Sequence, residues 1–189
     1  GGLSSVPARR PALDPVPASH GMIGRPHGLG GVAAGPYYRL VTAAFLHSGL
    51  LHIAFNMLAL FQLGSVLERV LGTWRYLALY FAAAIGGNVL VYVTDGASAA
   101  AVGASTSIYG LFAAFYLVAR RSGGDTQQLV ALIVINFLIT VTVPNISLMG
   151  HVGGFITGGI VGLIYTKSST QQARLQAGLI AGLVALLLA

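Results

Sequence analysis

The stretch Leu-Met-Gly-His-Val-Gly-Gly-Phe-Ile-Thr-Gly-Gly, residues 148–159, begins an apolar run that extends to Thr166. As a helix rising about 1.5 Å per residue, this run is long enough to cross most of a bilayer. His151, Gly154 and Gly158 share one helical face, because they are spaced by three and four residues. A stripe of small residues lets a membrane helix approach a neighbour closely, and a histidine at membrane depth is typically functional. The stretch predicts a closely packed membrane helix with a polar group in its first turn.

The composition of the whole chain supports a membrane protein. Of its 189 residues, 56% are hydrophobic and 7% are charged, and the mean hydropathy is +0.81. A soluble domain carries about 25% charged residues, so we predict an all-α polytopic membrane protein. The absence of cysteine excludes a cysteine nucleophile and thiolate metal sites. The net charge of +6 comes from cations at the ends of apolar runs, which indicates topology rather than nucleic-acid binding.

Apolar runs divide the chain into three predicted parts. We predict membrane helices at Leu50–Leu67, Tyr76–Thr94, Ser105–Ala119, Leu129–Val143, Leu148–Thr166 and, in shorter form, Leu175–Ala189. The first five can cross a bilayer or most of one, whereas the sixth looks cut short by the end of the sequence. Residues 1–36 are polar and rich in proline and glycine, which predicts an extramembrane segment. A membrane domain over 37–166 and a cytoplasmic link with the start of a further helix over 167–189 complete the division.

Positive charge alternates between the predicted connections. The first, third and fifth connections carry Arg69 and Arg75, Arg120 and Arg121, and Lys167 and Arg174, respectively. The second (Asp95–Val102) and the fourth (Pro144–Ser147) contain no lysine or arginine. Cytoplasmic loops are enriched in these residues, so the odd-numbered connections are predicted to be cytoplasmic. The segment Tyr37–Gly49 then lies outside.

Polar side chains of three helices are predicted to meet at the outer side. His52 and Asn56 are four residues apart and share a face of the first helix. Ser105 begins the third helix, Tyr109 lies one turn deeper on the same face, and His151 begins the fifth. Gly110 and Ala114 offer the third helix a small face to match the glycine stripe of the fifth.

This set of residues suits acyl transfer by a serine. Histidine can accept the serine proton, and an imidazole N–H, a carboxamide N–H and the Ser105 backbone N–H could stabilise an oxyanion. No carboxylate lies in these helices apart from Glu68, which falls at the predicted cytoplasmic end, so the pair would be a dyad of Ser105 and His151. Tyr109 could hold the imidazole by stacking.

Other interpretations of the same residues remain open. Ser105, His151, His52 and Asn56 could be ordinary polar contacts between helices. His47 lies about 140° around a helix from His52, so we predict a structural hydrogen bond for it. A metal site of His47, His52 and His151 is disfavoured, because the His-Glu-x-x-His pattern is missing. A non-catalytic protein that binds membrane helices, or a channel, would use similar polar residues.

Five motifs together resemble the rhomboid family of intramembrane proteases over about residues 37–166. They are Tyr-Tyr-Arg (37–39), His-Ser-Gly-Leu-Leu-His-Ile-Ala-Phe-Asn (47–56), Glu-Arg (68–69), Gly-Ala-Ser-Thr (103–106) and His-Val-Gly-Gly (151–154). The resemblance implies Ser105 as nucleophile, His151 as base, an oxyanion hole of His52 and Asn56, and Tyr109 as support for His151. It also implies that Arg39 belongs to a loop in the outer leaflet, that Glu68 and Arg69 belong to a structural cluster at the cytoplasmic end, and that Gly103 precedes the nucleophile.

The same resemblance implies a function and a place. We expect a serine endopeptidase of the bacterial plasma membrane that cleaves transmembrane segments of other membrane proteins, with an active site open to the extracytoplasmic side. Neither a cofactor nor a metal is implied, and the partners are substrate proteins and the bilayer. Thr106 stands where the family often has glycine. The family core has six spans, the first of which should precede Arg39, so we expect this chain to be a fragment that lacks it.

Overall fold

The protein is described by a computed structural model over residues 38–95, 103–144 and 146–189, and every regular element in these ranges is helical. The predicted all-α class is therefore confirmed. The predicted polar segment 1–36 and most of the connection Asp95–Val102 lie outside the described residues.

Eight helices with three short irregular helical segments make up the described chain. A short helix α1 (Arg39–Thr42) and a 3-10 turn (Ala43–Phe45) come first. A long helical stretch follows as α2 (Leu50–Ala59), a π-helical segment (Leu60–Gly64) and α3 (Ser65–Leu71). The remaining helices are α4 (Thr73–Asp95), α5 (Ser105–Arg121), α6 (Gln127–Thr142), α7 (Leu148–Lys167) and α8 (Ala173–Leu188), with a 3-10 turn (Thr170–Gln172) before α8.

The last helical stretch and helices α5 and α6 differ in length from the prediction. Within the described residues, four helical stretches are long and apolar enough to cross a membrane: Leu50–Leu71, Thr73–Asp95, Leu148–Lys167 and Thr170–Leu188. The last of these has 19 residues, because it begins before the predicted Leu175. Its polar first residues belong to the helical stretch, although they interrupt the apolar pattern. Helices α5 and α6, with 17 and 16 residues, are shorter than these four stretches but slightly longer than predicted.

The predicted contact between the glycine stripe of α7 and the small face of α5 is confirmed. A Cβ atom added at Gly158 would lie 2.5 Å from the carbonyl carbon of Gly110. A Cβ at Gly154 would lie 2.8 Å from the carbonyl carbon of Thr106. Because side-chain atoms cannot approach backbone this closely, the two helices can pack at this distance only with glycine at both positions.

Helix α4 also packs through glycines, which the sequence analysis did not single out. A Cβ at Gly87 would lie 2.6 Å from the Gly150 carbonyl oxygen and 2.8 Å from the Thr106 Cβ. Thr106 itself is 4% exposed, and its methyl group would lie 3.1 Å from a Cβ at Gly150. The threonine that departs from the family pattern is therefore accommodated between glycines of α4 and α7.

Hydrogen bonds of Arg75 join three elements at one end of the bundle. Arg75 Nε donates to Gln176 Oε1 of α8 at 2.7 Å, and Nη2 donates to the Thr170 carbonyl at 2.9 Å. Tyr165 of α7 donates to the Arg75 carbonyl at 3.1 Å. The α3–α4 and α7–α8 connections therefore lie together, as the charge alternation predicts. We call this the basic end.

Glu68 and Arg69 lie near this end, and their membership of a structural cluster stays a prediction. Glu68 Oε1 accepts a hydrogen bond from the Thr73 hydroxyl at 2.8 Å, whereas Arg69 Nε donates to the Ser65 carbonyl at 3.1 Å. Glu68 thus links the end of α3 to the start of α4, and the Arg69 hydrogen bond given by the described residues lies within its own helical turn. Because Glu68 and Arg69 are consecutive in the sequence, their side chains project from different faces of the helix.

Candidate active site

Ser105 and His151 meet at the end of the bundle opposite the basic end. Ser105 is the first residue of α5 and His151 lies in the first turn of α7. The Ser105 Oγ and His151 Nε2 atoms are 2.8 Å apart. His151 is 5% exposed, whereas Ser105 is partly exposed. The close packing of α5 and α7 therefore brings a hydroxyl that can be reached from outside against a buried imidazole.

Tyr109 forms the ring contact with His151 that the sequence predicts. The two rings are stacked, with centroids 3.9 Å apart and an interplanar angle of 13°. The Tyr109 ring in turn packs edge-on against Phe137 of α6, at 4.7 Å and 76°. The imidazole plane is thus held by an aromatic side chain that is itself fixed between two helices.

Thr140 of α6 is a further neighbour of His151, and the sequence analysis did not find it. Its Oγ1 lies 2.8 Å from His151 Nδ1 and 2.7 Å from the Tyr109 hydroxyl oxygen. The same Oγ1 lies 2.9 Å from the Asn136 carbonyl oxygen. Thr140 is 4% exposed. The signal available in the sequence was a threonine near the end of an otherwise apolar run, which is weak on its own.

His52 and Asn56 of α2 face the loop that precedes Ser105. A Cβ added at Gly103 would lie 2.9 Å from His52 Nε2 and 3.5 Å from Asn56 Nδ2. Asn56 is 5% exposed, and its Nδ2 has no hydrogen-bond partner among the described residues. The Gly103 N–H donates to the Ala43 carbonyl at 2.9 Å, which ties this loop to the turn after α1. Two side-chain donors therefore border one small space beside the serine.

The proton of the neutral His52 ring lies on the nitrogen that faces this space. Its Nδ1 atom lies 3.4 Å from the Ser48 backbone nitrogen and 3.0 Å from the Ser48 Oγ. A backbone N–H can only donate, so Nδ1 accepts and the proton of the neutral ring is on Nε2. Ser48, which the sequence analysis missed, thereby directs a donor towards Gly103. The signal was its spacing of four residues from His52.

His47 and Arg39 both lie before the start of α2. His47 precedes the start of α2 at Leu50, so the helical angle to His52 does not apply, and its ring contacts the His52 ring at 5.2 Å. Neither His47 ring nitrogen has a hydrogen-bond partner among the described residues, and the structural hydrogen bond expected for His47 stays a prediction. Arg39 is buried in the short helix α1, within the segment that precedes α2, and its place in the outer leaflet stays a prediction.

The contacts of His151 bear on the alternatives. Both of its ring nitrogens are engaged, with Ser105 and with Thr140, which leaves neither free for a metal ion. The described residues contain no group of three histidine, cysteine or acidic side chains that could hold one. A serine against a histidine, beside the unpaired Asn56 amide and the His52 donor, matches the arrangement of a serine hydrolase. The fold and the site together define a helical membrane protein with a serine hydrolase type of site.

Comparison with known proteins agrees with this class. A family profile described as the Rhomboid domain matches residues 34–168, and the chain belongs to the rhomboid family. The predicted family is confirmed, and the chain is an integral membrane protein. Over 132 residues, 67% of this chain, it is 38% identical to "Rhomboid protease GluP" of Bacillus subtilis. The protein YdcA of the same bacterium is 35% identical over 133 residues, 68% of this chain. "Rhomboid-type serine protease 2" of Emericella nidulans is 33% identical over 129 residues, 65% of this chain.

The similarity covers different shares of these relatives. The matched region is 26% of the length of GluP, 67% of YdcA and 25% of the Emericella protein. The matched region is therefore about a quarter of the length of two of these three relatives.

Proposed function

We propose that the protein is an intramembrane serine endopeptidase that uses Ser105 and His151 as a catalytic dyad. The observation that carries the proposal is the 2.8 Å contact between Ser105 Oγ and His151 Nε2, formed by two apolar helices. Membership of a family whose relatives are named serine proteases supports the same reaction.

The reaction proceeds in two acyl-transfer steps. Ser105 Oγ attacks the scissile carbonyl carbon while its proton passes to His151 Nε2. The C–N bond then breaks, the leaving amine takes the proton from His151, and an acyl ester remains on Ser105. A water molecule attacks this ester with His151 again accepting a proton. The acid product leaves as the proton returns to Ser105.

The oxyanion of each tetrahedral intermediate would be held beside Gly103. The first N–H groups of a helix have no partner within the helix, which leaves the Ser105 N–H available at the start of α5. His52 Nε2–H and Asn56 Nδ2 border the same space. Each such donor is worth about 3 kcal/mol of the activation free energy in serine proteases.

The substrates would be transmembrane segments of other membrane proteins. The site lies at the ends of membrane helices, so a substrate helix has to unwind locally to expose a carbonyl to Ser105. Charge alternation supports an extracytoplasmic location for this end of the bundle, in a bacterial plasma membrane in our proposal. The proposed catalytic domain is residues 37–166, with an extramembrane segment before it and a further helix after it.

Two alanine substitutions test the dyad. In liposomes with a generic transmembrane substrate, we expect Ser105→Ala and His151→Ala each to abolish cleavage, because each removes one of the two atoms that exchange the proton. Ser122→Ala, at the exposed far end of α5, is the control and should cleave at the wild-type rate. Cleavage that survives either dyad substitution would exclude this mechanism.

A fluorophosphonate probe separates a protease from a non-catalytic member of the family. An activated serine forms a covalent adduct with the probe, so the expected label is on Ser105 and is lost in Ser105→Ala. A wild-type protein that binds membrane helices but takes no label would support the non-catalytic alternative.

A further inference from the structure

Thr140 occupies the place beside His151 that an orienting residue holds in a catalytic triad. In serine proteases with three catalytic members, an acid accepts the Nδ1–H of the histidine and fixes its tautomer. Here the group within hydrogen-bond distance of His151 Nδ1 is the Thr140 hydroxyl, at 2.8 Å. The site is buried, since Thr140 is 4% and His151 5% exposed. Water therefore has little access to compete for this contact.

The three contacts of Thr140 determine where each proton lies. A hydroxyl has one proton and two lone pairs, and a carbonyl oxygen can only accept. The Thr140 proton therefore goes to the Asn136 carbonyl, at 2.9 Å. Both lone pairs of Oγ1 are then left to accept, one from the Tyr109 hydroxyl and the other from His151 Nδ1. This assignment satisfies all three contacts at once.

The consequence for His151 follows from this direction. With the proton on Nδ1, the Nε2 atom carries the lone pair and accepts from Ser105 Oγ at 2.8 Å. In the reversed tautomer Nε2 carries a proton that points at Ser105, and this nitrogen then has no lone pair with which to act as a base. The lone pair of His151 Nδ1 would then face a lone pair of Thr140 Oγ1, and an unsatisfied contact in a buried site is costly.

We propose that Thr140 is a positioning residue that holds neutral His151 in the Nδ1–H tautomer, and that α6 thereby joins α2, α5 and α7 in building the site. The inference rests on the proposed function for its catalytic meaning. Its structural content, the tautomer of one histidine, stands on the contacts alone. Tyr109 contributes twice, by stacking on the imidazole and by donating to the threonine that orients it.

Substitutions on α6 provide a matched set for the test. Thr140→Val keeps the shape of the side chain and removes the hydroxyl, whereas Thr140→Ser keeps the hydroxyl. Thr142→Val is the control, because the Thr142 hydroxyl bonds only to carbonyls of its own helix, Leu138 and Ile139, in the described structure. All three are compared with the wild-type protein in detergent after thermal unfolding shows that they are folded.

The tautomer can be measured without any activity. Nitrogen-15 NMR of histidine-labelled protein separates protonated from unprotonated ring nitrogens, and the His151 signals are those lost in His151→Gln. We expect Nδ1–H in the wild type, in Thr140→Ser and in Thr142→Val, and a shift towards Nε2–H in Thr140→Val. An Nε2–H wild type, or a Thr140→Val protein that keeps Nδ1–H, would overturn the proposal.

The rate of fluorophosphonate labelling of Ser105 tests the catalytic consequence. General-base catalysis contributes about 100-fold or more, so we expect Thr140→Val to label at least about tenfold more slowly. Thr140→Ser should stay within about threefold of the wild type, and Thr142→Val should be unchanged. Wild-type labelling by Thr140→Val contradicts the positioning role. If the wild type itself takes no label, the proposed function fails, and the NMR result alone decides the tautomer.

Discussion

At the scale of the residue, the site depends on the directions of hydrogen bonds. The backbone of Ser48 can only donate, which places the His52 proton on the nitrogen that faces Gly103. At His151 the opposite tautomer follows, because Thr140 accepts at Nδ1. The two histidines therefore present opposite groups, His52 a donor towards Gly103 and His151 a lone pair towards Ser105. This difference suits the proposed roles of His52 as a donor to the oxyanion and of His151 as the general base.

Gly103 supplies a prediction at this scale. Its φ of +113° disfavours a side chain, and an added Cβ would lie 2.8 Å from His52 Cε1 and 2.9 Å from Nε2. We expect Gly103→Ala to lower kcat on a transmembrane substrate by at least about tenfold, because loss of one oxyanion donor costs about 100-fold or more. Steady-state kinetics in detergent measure the effect.

Gly123 offers the matched control for backbone strain. It has a φ of +72°, and an added Cβ would meet nothing within 4 Å among the described residues. Gly123→Ala should therefore lower the free energy of unfolding by about 1 kcal/mol and leave kcat unchanged. Equal kcat values for the two variants would mean that the space beside Gly103 does not hold the oxyanion.

At the scale of the element, the spacing of α5 and α7 sets the spacing of the dyad. Ser105 and His151 each lie in the first turn of their helix, one turn or two from the glycine contacts. Gly154 meets the Thr106 backbone and Gly158 meets the Gly110 backbone. A larger residue at either glycine has to move α7 away from α5, and the catalytic hydrogen bond lengthens with it.

Two adjacent glycines of α7 test this relation. A Cβ at Gly158 would lie 2.5 Å from the Gly110 carbonyl carbon, whereas one at Gly159 would lie 3.7 Å from the Ala113 Cβ, an ordinary contact. We expect Gly158→Ala to destabilise the protein by about 2 kcal/mol and to slow fluorophosphonate labelling. Gly159→Ala should label at the wild-type rate, and thermal unfolding in detergent should show little change. Identical behaviour of the two variants would contradict the packing argument.

At the scale of the whole molecule, the two ends of the bundle differ in chemistry. The dyad, His52 and Asn56 lie at one end, and Arg75 holds the α3–α4 and α7–α8 connections at the other. Many apolar side chains of α2 and α6 are exposed on the outside, as expected for a surface in contact with lipid. This asymmetry makes the orientation in the membrane a testable property.

Single cysteines can report that orientation, because the chain has none of its own. Thr94 is exposed at the end of α4 near the dyad, and Ser122 is exposed between α5 and α6. In intact cells, we expect a membrane-impermeant maleimide to label Thr94→Cys but to label Ser122→Cys only after permeabilisation. The positive-inside distribution of Arg120 and Arg121 is the physical reason. The reverse pattern of labelling would mean that the active site opens to the cytoplasm.

Much of the architecture follows from local patterns in the sequence. Apolar runs locate the helices, and the spacing of His151, Gly154 and Gly158 indicates which face of α7 packs closely. The helix ends are less accurate, since the polar residues before Leu175 continue the last helix instead of preceding it. A hydropathy pattern marks where side chains pass from water into lipid. A helix can continue through polar residues beyond that boundary, so its end need not coincide with the end of the apolar run.

The sequence by itself determined the membrane class, the family and the residues that meet at one end of the bundle, because each of these depends on periodicity or on motif spacing. Only the tertiary structure placed Thr140 at His151, Gly87 at Thr106 and His47 outside the helix of His52. These contacts join residues that are distant in the chain or lie beyond a helix end, where helical periodicity carries no information. Ser105 and His151 could be named from the sequence, whereas the protons between them depend on which helix packs beside them.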